Sequence, residues 1–200
     1  MLTDFQEYFE TEHVLLIQWD GFVLDGQLWQ HEFLEFDYIG APWPHLPEPA
    51  NVGNGGFSLR SKRLLRALSD PDFVHGGPED LAICVVNREL LEQRHGIRFA
   101  TPELAAHFSR EHTPILAPTF GFHGIFNFPE AFGTDLEQVL DSLEDLLLLN
   151  RDARTLCLRL LSADDADRRA TGRRFLRRLL IKTPWSKHNW SAIRATLRRS

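Results

Sequence analysis

Asp20 stands at the end of a mostly apolar run, His13-Val-Leu-Leu-Ile-Gln-Trp19, and is followed at once by Gly21. A carboxylate directly after a buried strand lies at the strand's C-terminal edge, where open α/β sheets place their ligands. Together with an imidazole it forms a donor set suited to a hard divalent cation, Mn²⁺ or Mg²⁺, whose remaining positions would go to phosphate oxygens. His123, in Phe120-Gly-Phe-His-Gly124, is the candidate imidazole. Taken singly, Asp20 reads equally as a turn residue and His123 as a loop histidine. Neither spacing nor periodicity brings the two together.

Glu79-Asp80 is a paired carboxylate at an expected helix start. One member could take a proton from a hydroxyl nucleophile while the other orients it or binds a sugar hydroxyl. The plainer alternative is that two acids in a first turn compensate the positive end of the helix dipole. The third candidate is Asn51-Val-Gly-Asn-Gly-Gly56, with glycines at 53, 55 and 56. Such a segment lets backbone approach a ligand closely or adopt positive φ, which Asn54 also tolerates. It is neither a dinucleotide Gly-x-Gly-x-x-Gly nor a P-loop, since no Gly-Lys-Ser/Thr follows. A strained turn entering a strand would need the same residues.

The elements that must carry these groups alternate in type. The run from His13 reads as a buried central strand of an α/β sheet. Phe33–Gly40, a Pro-rich turn through Pro49, the glycine segment and Phe57-Ser-Leu-Arg60 follow in order. Ser61 can N-cap a short helix whose Leu64, Leu65 and Leu68 share a face. Pro78 and the two acids suit the start of a second helix, and Gly96 suits its stop. A short strand at Ile97–Phe99 precedes Thr101-Pro102, an N-cap followed by proline at the first helical position. Beyond about Phe132 the pattern is helical. Thr134-Asp-Leu-Glu137 has the form of a capping box, and further helices are expected over Arg151–Leu161, Asp165–Ile181 and Ser191–Arg199.

Composition bounds the answer. The 200 residues are 43% apolar and 25% charged, which suits one ordinary globular domain with an appendage and excludes coiled coil, collagen and disorder. No run approaches the length of a membrane span, and the acidic start Met1-Leu-Thr-Asp-Phe-Gln-Glu lacks a secretory h-region. Cys84 and Cys157 lie in helical apolar patterns and read as buried thiols of a reducing cytosol. The expected location is therefore cytoplasmic. Charge is divided unevenly: residues 1–150 hold 8 Lys and Arg against 24 Asp and Glu, whereas residues 151–200 hold 14 against 4. The expected helix over Asp165–Ile181 sets Phe175, Leu176, Leu179 and Leu180 against Arg168, Arg169, Arg173, Arg174, Arg177 and Arg178. That face could lie peripherally on the anionic inner leaflet or meet a partner protein, or its leucines could dock on neighbouring helices. No base-stacking pattern accompanies the charge, so nucleic acid is not an expected partner.

Read together, the stretches from His13 to Gly124 carry a family resemblance. His13-Val-Leu-Leu-Ile-Gln-Trp-Asp-Gly21, Asp37-Tyr-Ile-Gly-Ala-Pro-Trp43, Val52-Gly-Asn-Gly-Gly-Phe-Ser-Leu-Arg-Ser61, Glu79-Asp80, Ala105-xx-Phe-Ser-xx-Glu111 and Phe120-Gly-Phe-His-Gly124 resemble an uncharacterised glycosyltransferase family related to the metal-dependent GT-A superfamily. The resemblance implies a partial GT-A-like mixed sheet with flanking helices over residues 1–132, followed by a basic α-helical extension over 133–200. It implies sugar transfer from a nucleotide-sugar donor to a hydroxyl of a glycan or lipid-linked acceptor, assisted by Mn²⁺ or Mg²⁺. Asp20 and His123 match the metal positions, and Gly55, Gly56 and Phe57, with Asn54 and Trp43, the substrate pocket. Asp80, and after it Glu79, match the carboxylate that deprotonates the acceptor.

Two features set the chain apart from that pattern. Gln18-Trp19-Asp20 offers one carboxylate where an Asp-x-Asp is usual, and 12 residues precede the first strand, so the N-terminal nucleotide-binding half is expected to be missing. A catalytically inactive remnant acting as a binding or scaffold protein is therefore the alternative. A metal-dependent hydrolase would need further ligands near Asp20, and the spacing of His31, His45 and His75 does not supply them.

Overall fold

Ser61 ends a strand and opens a helix in the same step. Its hydroxyl accepts the Leu64 N–H at 3.0 Å, as an N-cap serine should, and Leu64, Leu65 and Leu68 are buried on the face behind it. This junction recurs along the chain as strands too short to fold alone, each fixed by the helix or turn beside it. The computed structural model describes residues 8–113, 117–148 and 150–182. The molecule is a mixed α/β protein that divides into two compact units, Met1–His123 and Gly124–Ser200. The division falls earlier than the change of sequence character near Gly133.

The strands of the first unit are β1 (His13–Ile17), β2 (Gly21–Val23), β3 (Tyr38–Ile39), β4 (Ala41–Pro42), β5 (Val52–Gly53), β6 (Phe57–Ser61), β7 (Ser109–Arg110) and β8 (Gly121–His123). They make three small sheets. In the first, β6 is the middle strand, antiparallel to β1 on one side and to β3 on the other. The second is mixed, with β8 between antiparallel β2 and parallel β7. The third pairs β4 with β5.

The expected central strand at His13 is thus an edge strand among the described residues, half-buried along most of its length, with Ile17 48% exposed. The middle strand β6 is buried throughout, all five of its residues lying inside. Its apolar members, Phe57 and Leu59, interleave with Ser58, Arg60 and Ser61, so its sequence alternates while its burial does not. Ile97–Phe99 contributes a single bridge between Tyr38 and Phe99 rather than a strand.

The helices of this unit are α1 (Lys62–Ala67), α2 (Glu79–Leu81), α3 (Arg88–His95) and α4 (Pro102–Phe108). Thr101 caps α4 as anticipated, with proline at its first position. The expected helix between Pro78 and Gly96 starts and stops at those residues, Gly96 ending it at φ 63°. Its middle is a π turn over Ala82–Val86. Asn87 closes that turn, donating to the carbonyls of Ala82 and Val74 and accepting the Val74 N–H. Two apolar clusters fill the unit. One gathers Tyr38, Leu64, Leu65, Ile83, Cys84 and Leu91; the other packs Phe33, Phe57, Phe108 and Phe120 together, Phe33 edge to face on Phe108 and Phe57 tilted against Phe108 and Phe120. Burial drives the Cys84 thiol up to about 12, so it packs as a small apolar group.

The second unit is helical: α5 (Phe128–Phe132), α6 (Leu136–Ser142), α7 (Arg151–Leu161) and α8 (Ala166–Lys182). The capping box read at Thr134–Glu137 does not form, because Gly133–Asp135 is a 3₁₀ turn and Glu137 pairs with Arg174 instead. Asn150 caps α7 through the Ala153 N–H. Phe175, Leu176 and Leu179 of α8 are buried in this unit, so the face considered for lipid belongs to its core. Four arginines of α8 are engaged locally. Arg168 approaches Glu130, Arg169 donates to the carbonyls of Ala163 and Asp164, Arg174 pairs with Glu137, and Arg178 reaches Asp145 and the carbonyls of Leu140 and Leu143. The helix expected over Ser191–Arg199 lies outside the described residues. Among those residues, no helix is long and apolar enough to cross a membrane.

Candidate functional site

The registers of the second sheet assemble one half of the site. Gly21 is level with His123 across the β2–β8 pair, which brings Asp20, one residue earlier, beside the His123 ring. On the other flank Arg110 is level with Phe122, so Glu111, one residue on, also arrives at His123. The outcome is a line of three side chains. Nε2 of His123 lies 3.2 Å from Oδ1 of Asp20, and its Nδ1 lies 2.9 Å from Oε1 of Glu111. Trp43 stands behind Glu111 and donates its indole N–H to Oε2 at 3.4 Å.

Charge follows from this enclosure. Burial alone would lower the His123 pKa, but the two carboxylates outweigh it and raise it to about 9. At neutral pH the ring is an imidazolium between two acidic side chains. Burial likewise pushes the Glu111 carboxyl up, and the bond and charge of His123 bring it below its ordinary value. Oδ1 of Asp20 is buried and accepts no hydrogen bond among the described residues. It faces Nε2 as a charge partner.

The glycine segment forms the divide between this line and a second group. Asn54 takes φ 84°, the left-handed conformation that lets the chain reverse, and its side-chain oxygen accepts the Gly56 N–H at 2.9 Å. The Gly56 carbonyl in turn accepts from Gln18 N at 2.8 Å, which ties the turn to the segment bearing Asp20. A Cβ on Gly56 would run into the His123 ring. On the opposite side, a Cβ on Gly55 would meet Oε2 of Glu79 at 3.2 Å and the Asp80 side chain at 3.4 Å. At Gly56 only backbone without a side chain fits, while at Gly55 the two carboxylate side chains leave little room.

Glu79 and Asp80 have different tasks. Glu79 binds the guanidinium of Arg60 through both oxygens, and that guanidinium is wholly buried on β6, further held by the Ser58 hydroxyl at 3.0 Å. Asp80 accepts the Gly55 N–H at 3.1 Å and the Leu81 N–H at 2.9 Å, which leaves lone pairs of a carboxylate to spare. A cavity of about 560 Å³ opens beside them, bounded by Gly55 and Glu79. It is adjacent to the histidine line, but neither Asp20 nor His123 borders it.

Of the residues singled out from the sequence, Asp20 and His123 come together, as do Gly55 with Glu79 and Asp80. Several are closed off from solvent, Gly56 and Asp20 among them. Phe57 and Asn54 are fully buried and Trp43 nearly so; Phe57 belongs to the aromatic cluster, and Trp43 packs flat over Gly53. Two participants carried no assigned role: Arg60, a lone charge amid a strand, and Glu111, a carboxylate just beyond one. A charge inside an apolar strand requires a buried partner, and that was the signal available for Arg60.

Residues 1–123 match the model of a family described as Protein of unknown function (DUF5672), and the chain belongs to that family. The match ends at His123, as the first unit does, so the whole site lies within it. No curated protein and no solved structure matches the chain.

Proposed function

We propose that the first unit is a glycosyltransferase-like module taking a sugar from a nucleoside diphosphate and passing it to a hydroxyl acceptor. The observation that carries this reading is the meeting of Asp20 and His123 beside Gly55-Gly56. Residues a hundred positions apart place a buried carboxylate oxygen and a ring nitrogen 3.2 Å apart. A hydrogen-bonded carboxylate on the far nitrogen is the arrangement that orients a metal-ligating histidine, and Glu111 supplies it. The donor set suits Mn²⁺ or Mg²⁺, with Asp20 Oδ1 and, once the ion has displaced its proton, His123 Nε2 as ligands and diphosphate oxygens completing the shell. Such an ion supplies neutralisation of the charge that develops on a departing diphosphate.

The chain's own groups would do the rest. Gly55 and Gly56 admit the sugar where a side chain would collide. Asp80, held by two backbone N–H groups, accepts the proton of the attacking hydroxyl. Glu79, neutralised by Arg60, serves as a fixed acceptor for a sugar hydroxyl and is the weaker base candidate.

A specific observation favours a second reading. The His123 imidazolium already neutralises Asp20, doing without a metal what a cation would do there. A binding module descended from a transferase would retain this arrangement. Calorimetry with Mn²⁺ and UDP-, GDP- and dTDP-sugars, on the native protein and on Asp20→Ala, separates the two. Metal-dependent donor binding abolished by the substitution supports transfer; a folded protein that binds no donor supports the binding module.

A further inference from the structure

We propose that the cavity beside Gly55 is an acceptor site for a molecule with a hydroxyl on an apolar body, as in a sugar bearing an alkyl chain. The inference rests on the transferase reading for its role, but not for its chemistry. At about 560 Å³ the cavity falls within the range of small-molecule sites, roughly 300–1,000 Å³. Its wall is built by Leu16, Ile17, Leu68, Phe73, Ala82 and Ile83. The polar side chains on its boundary are Gln18, His75 and Glu79.

That inventory decides the class of ligand. Among the described residues no lysine or arginine borders the cavity, so a diphosphate meets no lysine or arginine side chain of theirs there, and Glu79 would repel it. An apolar body gains from the aliphatic wall in proportion to the area it buries. A hydroxyl at its inner end would arrive at Gly55, whose N–H is already bound by Asp80 at 3.1 Å. Local backbone supports a built site. The π turn over Ala82–Val86 contributes two of the wall residues, and π turns inside helices gather at functional sites. Gly76-Gly77, exposed and both at positive φ, also border the cavity with bare backbone.

The test is a calorimetric titration with methyl, butyl and hexyl β-glucosides, without cation or nucleotide, on the native protein and on Ile17→Glu. Ile17 is 48% exposed on an edge strand, so the substitution charges the wall while leaving the core intact, which far-UV circular dichroism verifies. Affinity should rise on the order of tenfold for every two methylenes added, and Ile17→Glu should lose at least tenfold for the hexyl compound. Affinity independent of chain length, unchanged binding by Ile17→Glu, or no binding of any glucoside overturns the proposal. Uridine is the comparison ligand: if it binds, Ile17→Glu abolishes its binding and the glucosides stay idle, the cavity belongs to a nucleoside and the proposal also fails. Because no donor or metal is present, failure here leaves the transferase reading to its own calorimetry. Conversely, chain-length-dependent binding in a protein that takes no nucleotide sugar would keep the site and remove its catalytic role.

Discussion

Nε2 of His123 and Oδ1 of Asp20 face each other at 3.2 Å in a setting where both are almost out of water. Each arrives there by strand register: the pairing of Gly21 with His123 is enough to fix the Asp20–His123 contact. What the contact stores is a proton.

The folded-state pKa of His123, about 9, lies above the ordinary histidine value of 6.5. The stabilisation is therefore complete below pH 6.5 and is lost as pH rises toward 9. A shift of that size corresponds to roughly 3 kcal/mol. Urea unfolding of the native protein should show stability falling between pH 6.5 and 9, and His123→Gln should flatten that slope. An equally steep slope in the variant would mean that other groups carry it.

Glu79 and Asp80 are neighbours in sequence and opposites in role. Removing the Glu79 carboxylate strands a fully buried guanidinium. Since Glu79 itself is partly exposed, the cost falls toward the low side of a buried pair, about 2–3 kcal/mol for Glu79→Ala by urea unfolding. Asp80→Asn keeps acceptor oxygen for the Gly55 N–H and should cost under about 1 kcal/mol. If Asp80 is the base, that same variant loses at least a hundredfold in transfer while still binding donor, on the order of a general-base contribution. A folded Asp80→Asn of native activity removes Asp80 from the chemistry.

Much of the local structure was legible because it depends on neighbours in the chain. Ser61, Thr101 and Gly96 cap helices by chemistry that acts over three or four residues, and α7 begins and ends where its apolar period does. The errors lie where distant partners intervene. The run at His13 is apolar on both faces, which suits a central strand, yet sheet order leaves it at an edge. Glu137 fits a capping box but finds Arg174 instead. In the site, residue types pointed to Asp20 and His123 one by one, while their meeting, and the part played by Glu111, depends on inter-strand register that no periodicity encodes. Arg60 carried the signal that a partner must exist, but it was not read as such, and the signal does not say which partner.

Gly56 tests the divide directly. A methyl group there meets the His123 ring, and the backbone at that point is tied by Asn54 and Gln18, so the ring must yield. Overpacking of this kind costs about 1–3 kcal/mol. Gly56→Ala should therefore lower stability at pH 6 more than at pH 9.5, because the displaced ring loses its carboxylates and with them its raised affinity for a proton. Equal losses at both pH values would place the strain elsewhere than on His123.

Asp37 anchors a different sheet, at the Ser61 end of β6. Its oxygens take the Ser61 hydroxyl at 2.5 Å, the Arg98 N–H at 2.8 Å and two nitrogens of Arg63. Burial raises its carboxyl pKa, but the Arg63 and Ser61 bonds outweigh that and hold it below the ordinary aspartate value. A depressed pKa means stability that is present near neutrality and lost as pH falls through the folded-state value, the reverse of His123. Asp37→Asn keeps the shape and removes the charge. It should cost roughly 2 kcal/mol at pH 7, the scale of hydrogen bonds to a charged group, and the difference from the native protein should shrink at low pH, where both side chains are neutral. Since Asp37 lies in neither the cavity nor the histidine line, ligand affinities of the folded variant should match those of the native protein. A variant that stays stable but loses binding would tie this anchor to the site.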